Sequence, residues 1–172
     1  MNRQRKMALA IIAALFLLDR ASKIWVAGHL GLYDHVIVIP GIFNIVHTEN
    51  PGAAFSLFAD ASPMVRFFVL ICASLAMMGV IAQMLWQATI APASASLTQR
   101  SALTLVLGGA LGNLYDRVLF GRVTDFLQVF LGSYEWPSFN VADSAICVGA
   151  TLLAIDMLRG KARQSPPVRT TS

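Results

Sequence analysis

The sequence predicts an all-α membrane protein, with four transmembrane helices and a small β element and interfacial loops on one side of the bilayer. Three observations predict it. Of 172 residues, 56% are hydrophobic and 13% charged, with a mean hydropathy of +0.65, whereas a soluble domain carries about 25% charged residues. Four apolar runs approach the roughly 20 residues that a helix needs to cross a bilayer. The charges are also polarised. Arg3, Arg5 and Lys6 precede the first run and Arg159, Lys161, Arg163 and Arg169 follow the last, while eight of the nine acids lie between Asp19 and Asp143. Positive residues stay on the cytoplasmic side of a membrane, so this pattern fits a membrane topology and not the single basic face of a nucleic-acid binder.

The first helix is expected at about 7–27. A basic stretch before MALAIIAALFLL suggests a cleaved signal peptide, but no small-x-small site follows, so the helix is read as retained. Residues 28–63 then lie outside the cytoplasm. Within them LYDHVIVIPGIFNIVH (32–47) places two β-branched runs around Pro40-Gly41, a hairpin signature. Asn50, Pro51 and Gly52 lead into a small amphipathic stretch, AAFSLFADA. The second helix is expected at 64–86 and the third at 101–119, joined by a cytoplasmic connection, 87–100, that holds only Arg100. Residues 120–138 read as an interfacial platform with Tyr134 and Trp136 at the membrane boundary. The fourth helix, 139–158, returns the C-terminus to the cytoplasm. One domain, 1–163, and a disordered tail, 164–172, account for the chain. Cys72 and Cys147 give neither a disulfide framework nor a metal motif and are read as buried, inert thiols.

Polar residues inside apolar helices are costly and mark a partner or a cavity. Asp19 and Lys23 are spaced i,i+4 with the acid first, the favourable order for a helical ion pair; structural support and substrate contact are both open to them. In LVLGGALGNLYDR, Asn113, Asp116 and Arg117 share one face near the outer end of the third helix. An Asp–Arg bridge is the default for Asp116, and Arg117 has donors to spare for a substrate carbonyl or a loop backbone. Gly108 and Gly112 form a small-xxx-small pair that lets another helix approach.

Asp125, in VTDF just after the third helix, and Asp143, about one turn into the fourth, are expected at one depth near the outer interface. Asp125 also suits a turn or cap, and Asp143 an early helical acid favoured by the dipole. Brought close together, two carboxylates cannot both ionise easily, and the pair holds one proton near neutrality. The ionised member can then take a proton from water while the other stabilises an oxyanion and supplies the leaving amine. Composition and periodicity permit this aspartic-peptidase chemistry.

Five motifs in order carry a resemblance: DRASK (19–23), NPGAAF (50–55), GALGNLYDR (109–117), VTDF (123–126) and FNVAD (139–143). Together they resemble the bacterial lipoprotein signal peptidases, the signal peptidase II family, over residues 7–158. The resemblance implies an aspartic endopeptidase of the bacterial inner membrane, with both termini cytoplasmic and its active site near the periplasmic face. Asp125 and Asp143 match the catalytic pair. Asn113 and Arg117 match substrate positioners and supports of the pair, and Asn140 would face the same site. Asp19, Lys23 and Asn50 match residues that shape the site and its outer loops, with Asp116 beside them. Residues 32–60 resemble the family's periplasmic β-cradle. The implied substrate is a diacylglyceryl-modified prolipoprotein, cut just before the lipidated cysteine by a monomer among membrane lipids. No metal, other cofactor or nucleic acid is implied. Pro51 departs from the family's more flexible or hydroxylated residue after Asn50.

Three other classes fit less well. A proton-coupled transporter would place acids through the depth of the bilayer, and no internal repeat is present. A non-catalytic scaffold would tolerate Asn at either aspartate. A metallopeptidase would need HExxH-like spacing, which His29, His35 and His47 lack.

Overall fold

A computed structural model of the chain describes residues 1–52, 62–90 and 95–164. The expected amphipathic stretch AAFSLFADA and the tail beyond Gln164 lie outside these residues. Eight elements follow in order: α1 (Arg3–His29), β1 (His35–Ile39), β2 (Phe43–Asn50), α2 (Pro63–Ile90), α3 (Leu97–Phe120), β3 (Val123–Leu131), β4 (Tyr134–Phe139) and α4 (Val141–Gln164). The four predicted helices are all present, each longer than expected. Two of them, within Phe67–Ile90 and Val141–Arg159, are long and apolar enough to cross a membrane by themselves. α1 and α3 are long enough but carry the clustered charges of Asp19, Arg20 and Lys23 and of Asp116 and Arg117.

Side-chain caps start the helices where the sequence turns from loop to apolar run. The Asn2 side chain accepts a hydrogen bond from the Arg5 amide at 3.0 Å, and Ser96 accepts from the Gln99 amide at 2.9 Å. Each satisfies one of the orphan donors of a first turn. At the other end of α3, Gly121 takes a left-handed conformation (φ 69°) and returns its N–H to the Arg117 carbonyl. This glycine C-cap turns the chain directly into β3.

The β element is present but larger than the all-α class with a small β-cradle leads one to expect. The predicted hairpin is there, with Gly41 at φ 71° and the Ile42 amide donating to the Ile39 carbonyl at 3.0 Å, as a Pro-Gly type II turn requires. Residues 120–138, expected as interfacial loops, instead supply β3 and β4, completing a four-stranded antiparallel sheet in the order β1-β2-β3-β4. Asp125 is therefore a mid-strand residue opposite Thr48, not a turn or cap. The aromatic residues of YEWPSF had suggested a membrane boundary, yet they are equally good strand formers.

α3 is the central helix. Near its start Leu103 is fully buried and packs with Ile12, Ile81, Leu85 and Ala88. Further along, glycines let its neighbours approach closely, at Gly108 and Gly112, the expected pair, and also at Gly109, outside it. A Cβ at Gly109 would lie 2.4 Å from the Ala142 carbonyl of α4, and one at Gly112 would lie 2.7 Å from the Asp19 carboxylate of α1. The outward faces carry exposed Leu17, Trp25, Phe68, Met77, Trp86 and Val148, a surface suited to lipid. Cys72 and Cys147 are exposed on these faces, correcting the expectation of buried thiols. On a helix that faces hydrocarbon, apolar character does not imply burial within the protein.

Candidate active site

Where α3, α4 and the sheet meet, the chain buries polar groups. Asp125 (4% exposed), Asn113 (4%) and Asn140 (0%) lie together there. Asn140 is the residue before α4, and Asp143 lies in that helix's first turn, slightly nearer the start than expected. The Asp143 amide donates to Asn140 Oδ1 at 2.9 Å, and the Asn140 amide donates to Asp143 Oδ2 at 3.2 Å. This reciprocal pair is a capping box built from Asn and Asp. It also orients the Asn140 amide, because with Oδ1 taken by the helix, Nδ2 must point away. Nδ2 meets Asp125 Oδ1 at 2.7 Å, with the Thr124 carbonyl and Asn113 Oδ1 each at 3.3 Å. One asparagine thus touches both acids.

Asn113 makes the second link. Its Nδ2 donates to Asp143 Oδ1 at 2.7 Å, and its Oδ1 accepts from Lys23 Nζ at 3.1 Å. A lysine ammonium can only donate, so Lys23 fixes which end of the Asn113 amide faces Asp143. Lys23 itself is 1% exposed and lies 2.8 Å from Asp19 and 2.7 Å from Asp116. The predicted i,i+4 pair is therefore real and extends to a third charge. Asp19 in addition accepts from the Ala142 amide at 3.0 Å, which ties α1 to the start of α4.

Asp116 pairs with Lys23 and Arg20 of α1, not with Arg117 as the sequence suggested. Adjacent residues on a helix point about 100° apart and do not face each other. Arg20 is the residue that sequence reasoning missed. Its guanidinium also lies 4.8 Å from the Tyr115 ring and 5.6 Å from that of Phe120. The available signal was a second cation beside Asp19 in an apolar helix. Arg117 has a buried Nε without a hydrogen-bond partner among the described residues, and it interacts electrostatically with Asp143, Asp125 and Asp116.

Asn50, at the end of β2, donates from Nδ2 to Asp125 Oδ2 at 3.3 Å, and its Oδ1 accepts from the Gly52 amide at 2.9 Å. Burial, and then the charge of Asp143, push the Asp125 carboxyl up to about 6, against the opposing hydrogen bonds from Asn50 and Asn140. Two acids on different elements, bridged by asparagines, with one held near neutrality, form an arrangement able to give and take a proton. His29 and His47 lie apart from it, each bonded through Nδ1 to a backbone carbonyl, of Trp25 and Leu30.

By fold the chain groups with bacterial membrane enzymes. It is similar to two solved structures described in those words. One has a TM-score of 0.74 and 30% identity, covering 90% of this chain and 94% of the other. The second has a TM-score of 0.75 and 29% identity, covering 97% and 95%. The chain belongs to the signal peptidase (SPase) II family, whose profile matches residues 11–159. Similar relatives include the lipoprotein signal peptidases of Geobacter sulfurreducens and Solibacter usitatus, both 45% identical, over 91% and 90% of this chain and 94% and 92% of theirs. That of Pseudomonas aeruginosa is 41% identical over 89% of this chain and 88% of its own. The chain is therefore a hydrolase of the signal-peptide-processing type.

Proposed function

We propose that this chain removes the signal peptide from diacylglyceryl-modified prolipoproteins, cutting before the lipidated cysteine, with Asp125 and Asp143 as its catalytic pair. The observation that carries the reading is Asn140, which bonds Asp125 through its side chain and Asp143 through both its side chain and its amide. Asp125, whose carboxyl is pushed up to about 6, holds the shared proton, and Asp143 acts as the base. Asp143 takes a proton from water as the water oxygen attacks the scissile carbonyl carbon. Asp125 donates toward the carbonyl oxygen, giving a neutral tetrahedral diol. The C–N bond then breaks as a proton passes to the cysteine nitrogen, leaving a free amine on one product and a carboxyl group on the other. Arg117 offers its unused donors to the substrate backbone, and Asn50 and Asn113 hold the pair in register. Asp19, Lys23 and Asp116 support the site from behind.

All four helices span the bacterial inner membrane in this reading, with both termini cytoplasmic and the sheet on the periplasmic side. The charges of α1 and α3 support it, since they are met within the bundle by one another, as intramembrane charges must be. The enzyme acts as a monomer, with membrane lipid against its exposed apolar faces. A gel-shift cleavage assay tests the function: purified enzyme in detergent, one prolipoprotein with and without its diacylglyceryl group, and Asp143→Asn as control. Cleavage of the lipidated form alone, by the unaltered enzyme alone, is expected. Cleavage of both forms alike would overturn the substrate class, and turnover by Asp143→Asn would overturn the catalytic pair.

A further inference from the structure

At the opposite end of the bundle lies a cavity that peptide cleavage does not use. It comprises two adjoining pockets among α1, α2 and α3, called lobes below, with Ala8, Leu85 and Thr89 lining both. The larger lobe, about 210 Å³, is walled by apolar side chains that include Leu9, Ile12, Leu85 and Leu107, together with Arg5 and Trp86. The smaller, about 110 Å³, is more polar and is lined by Gln4, Arg100, Ser101 and Thr104 among others. An occupant that fills both has to be amphipathic.

Arg5 is held in place at the larger lobe. Its guanidinium carbon lies 3.8 Å from the centre of the Trp86 ring, and its Nε donates to Thr89 Oγ1 at 3.3 Å. Its two terminal nitrogens have no acceptor among the described residues. The start of α1 adds further positive charge. Arg3 and Lys6 flank Arg5 in the first turns of α1, a helix with no acid in its first turn, and the positive end of its dipole adds to them. Arg3, Arg5 and Lys6 thus bring three cations to this end of α1. In the smaller lobe, Gln4 Oε1 is buried without a hydrogen-bond partner among the described residues, although a hydroxyl donor would satisfy it.

We propose that this cavity binds an anionic phospholipid, with an acyl chain in the apolar lobe, the phosphate on the terminal nitrogens of Arg5 and a hydroxylated headgroup reaching Gln4. Basic pockets between transmembrane helices on the cytoplasmic side suit such headgroups. The charge excludes the other amphipathic candidate, the signal peptide of a substrate, whose n-region is itself basic. The proposal rests on the membrane topology proposed above, under which this end faces the inner leaflet.

Retention of dioleoylphosphatidylglycerol and of dioleoylphosphatidylcholine by the purified full-length protein, read by native mass spectrometry, tests it. The measurement is made on the unaltered chain and on Asp143→Asn, so that lipid binding is read independently of cleavage. Preferential retention of phosphatidylglycerol by both proteins is expected. It should weaken about fivefold in Arg5→Gln, the contribution of one basic residue near an anionic surface. Ala82→Phe, which fills the apolar lobe and leaves Arg5 in place, should also remove it. Equal retention of the two lipids, or unchanged preference in Arg5→Gln, would overturn the proposal. So would displacement of the lipid by an equal concentration of inorganic phosphate, because an anion site without a chain-binding lobe would then suffice. Absence of cleavage by the unaltered chain, with its lipid preference intact, would count against the peptidase reading and leave this one standing.

Discussion

Near its start, α3 buries Ala102 and Leu103 completely, Leu103 against Ile12, Leu85 and Ala88. Further along, the same helix buries Asn113 and Asp116 just as thoroughly, against Lys23, Asp19 and Asn140. Dispersion and the exclusion of other phases hold the first region, and any apolar set of the right volume would serve. The second tolerates no such exchange. Each charge there is expensive to bury and depends on a named partner. Its geometry follows one chain of donors, from Lys23 through Asn113 to Asp143 and from Asp143 through Asn140 to Asp125. The comparison indicates that the polar end is organised for chemistry at some expense of stability, and the apolar end for stability alone.

The largest expected effect breaks that contrast at its functional centre. Asp125→Asn and Asp143→Asn should each reduce turnover at least about a thousandfold in a protein that remains folded and membrane-inserted, read by cleavage rate beside a thermal melt. Next comes Lys23→Met, which strands the Asp19 and Asp116 carboxylates. Breaking a buried pair by removing one partner costs about 3–5 kcal/mol, so both expression and turnover should fall. Leu103→Ala should cost a comparable or smaller amount, about 2–5 kcal/mol. Its kcat should stay near the original once the unfolded fraction is accounted for, which separates the two ends cleanly. Smallest is Asn50→Ala. Losing one donor to Asp125 should move the upper limb of the pH–rate profile to higher pH and lower turnover by about tenfold or less.

The helices were legible because their apolar runs are long, and the β1–β2 hairpin because Pro40-Gly41 punctuates two β-branched stretches. β3 and β4 were not. A strand earns its stability from its neighbours, and the partner of Asp125 is Thr48, far away in sequence. The same limit hid the ion pairs between helices. Asp116 sits beside Arg117 in the chain, but its true partners, Arg20 and Lys23, come from another helix. The two acids and their asparagines were legible as types and spacings. The orientation of each amide, and with it the bridge through Asn140, needed the three-dimensional arrangement of the capping box.

The pH dependence of stability follows from Asp125. Its carboxyl is raised from 3.8 to about 6, so the folded chain binds this proton more tightly than the unfolded one does. Asp125 therefore imposes no penalty below about pH 4. The chain loses stability as pH rises from there to about 6, by up to about 3 kcal/mol for a shift of this size, and the loss is constant above. Paired melts and cleavage rates of the unaltered chain and Asp125→Asn, from pH 4 to pH 8, test the central claim most directly. Asp125→Asn should be inactive throughout, melt no lower than the unaltered chain at pH 7, and lose its relative advantage as pH falls to 4. An Asp125→Asn protein that still cleaves, or one whose melting temperature falls together with its activity at pH 7, would contradict that claim.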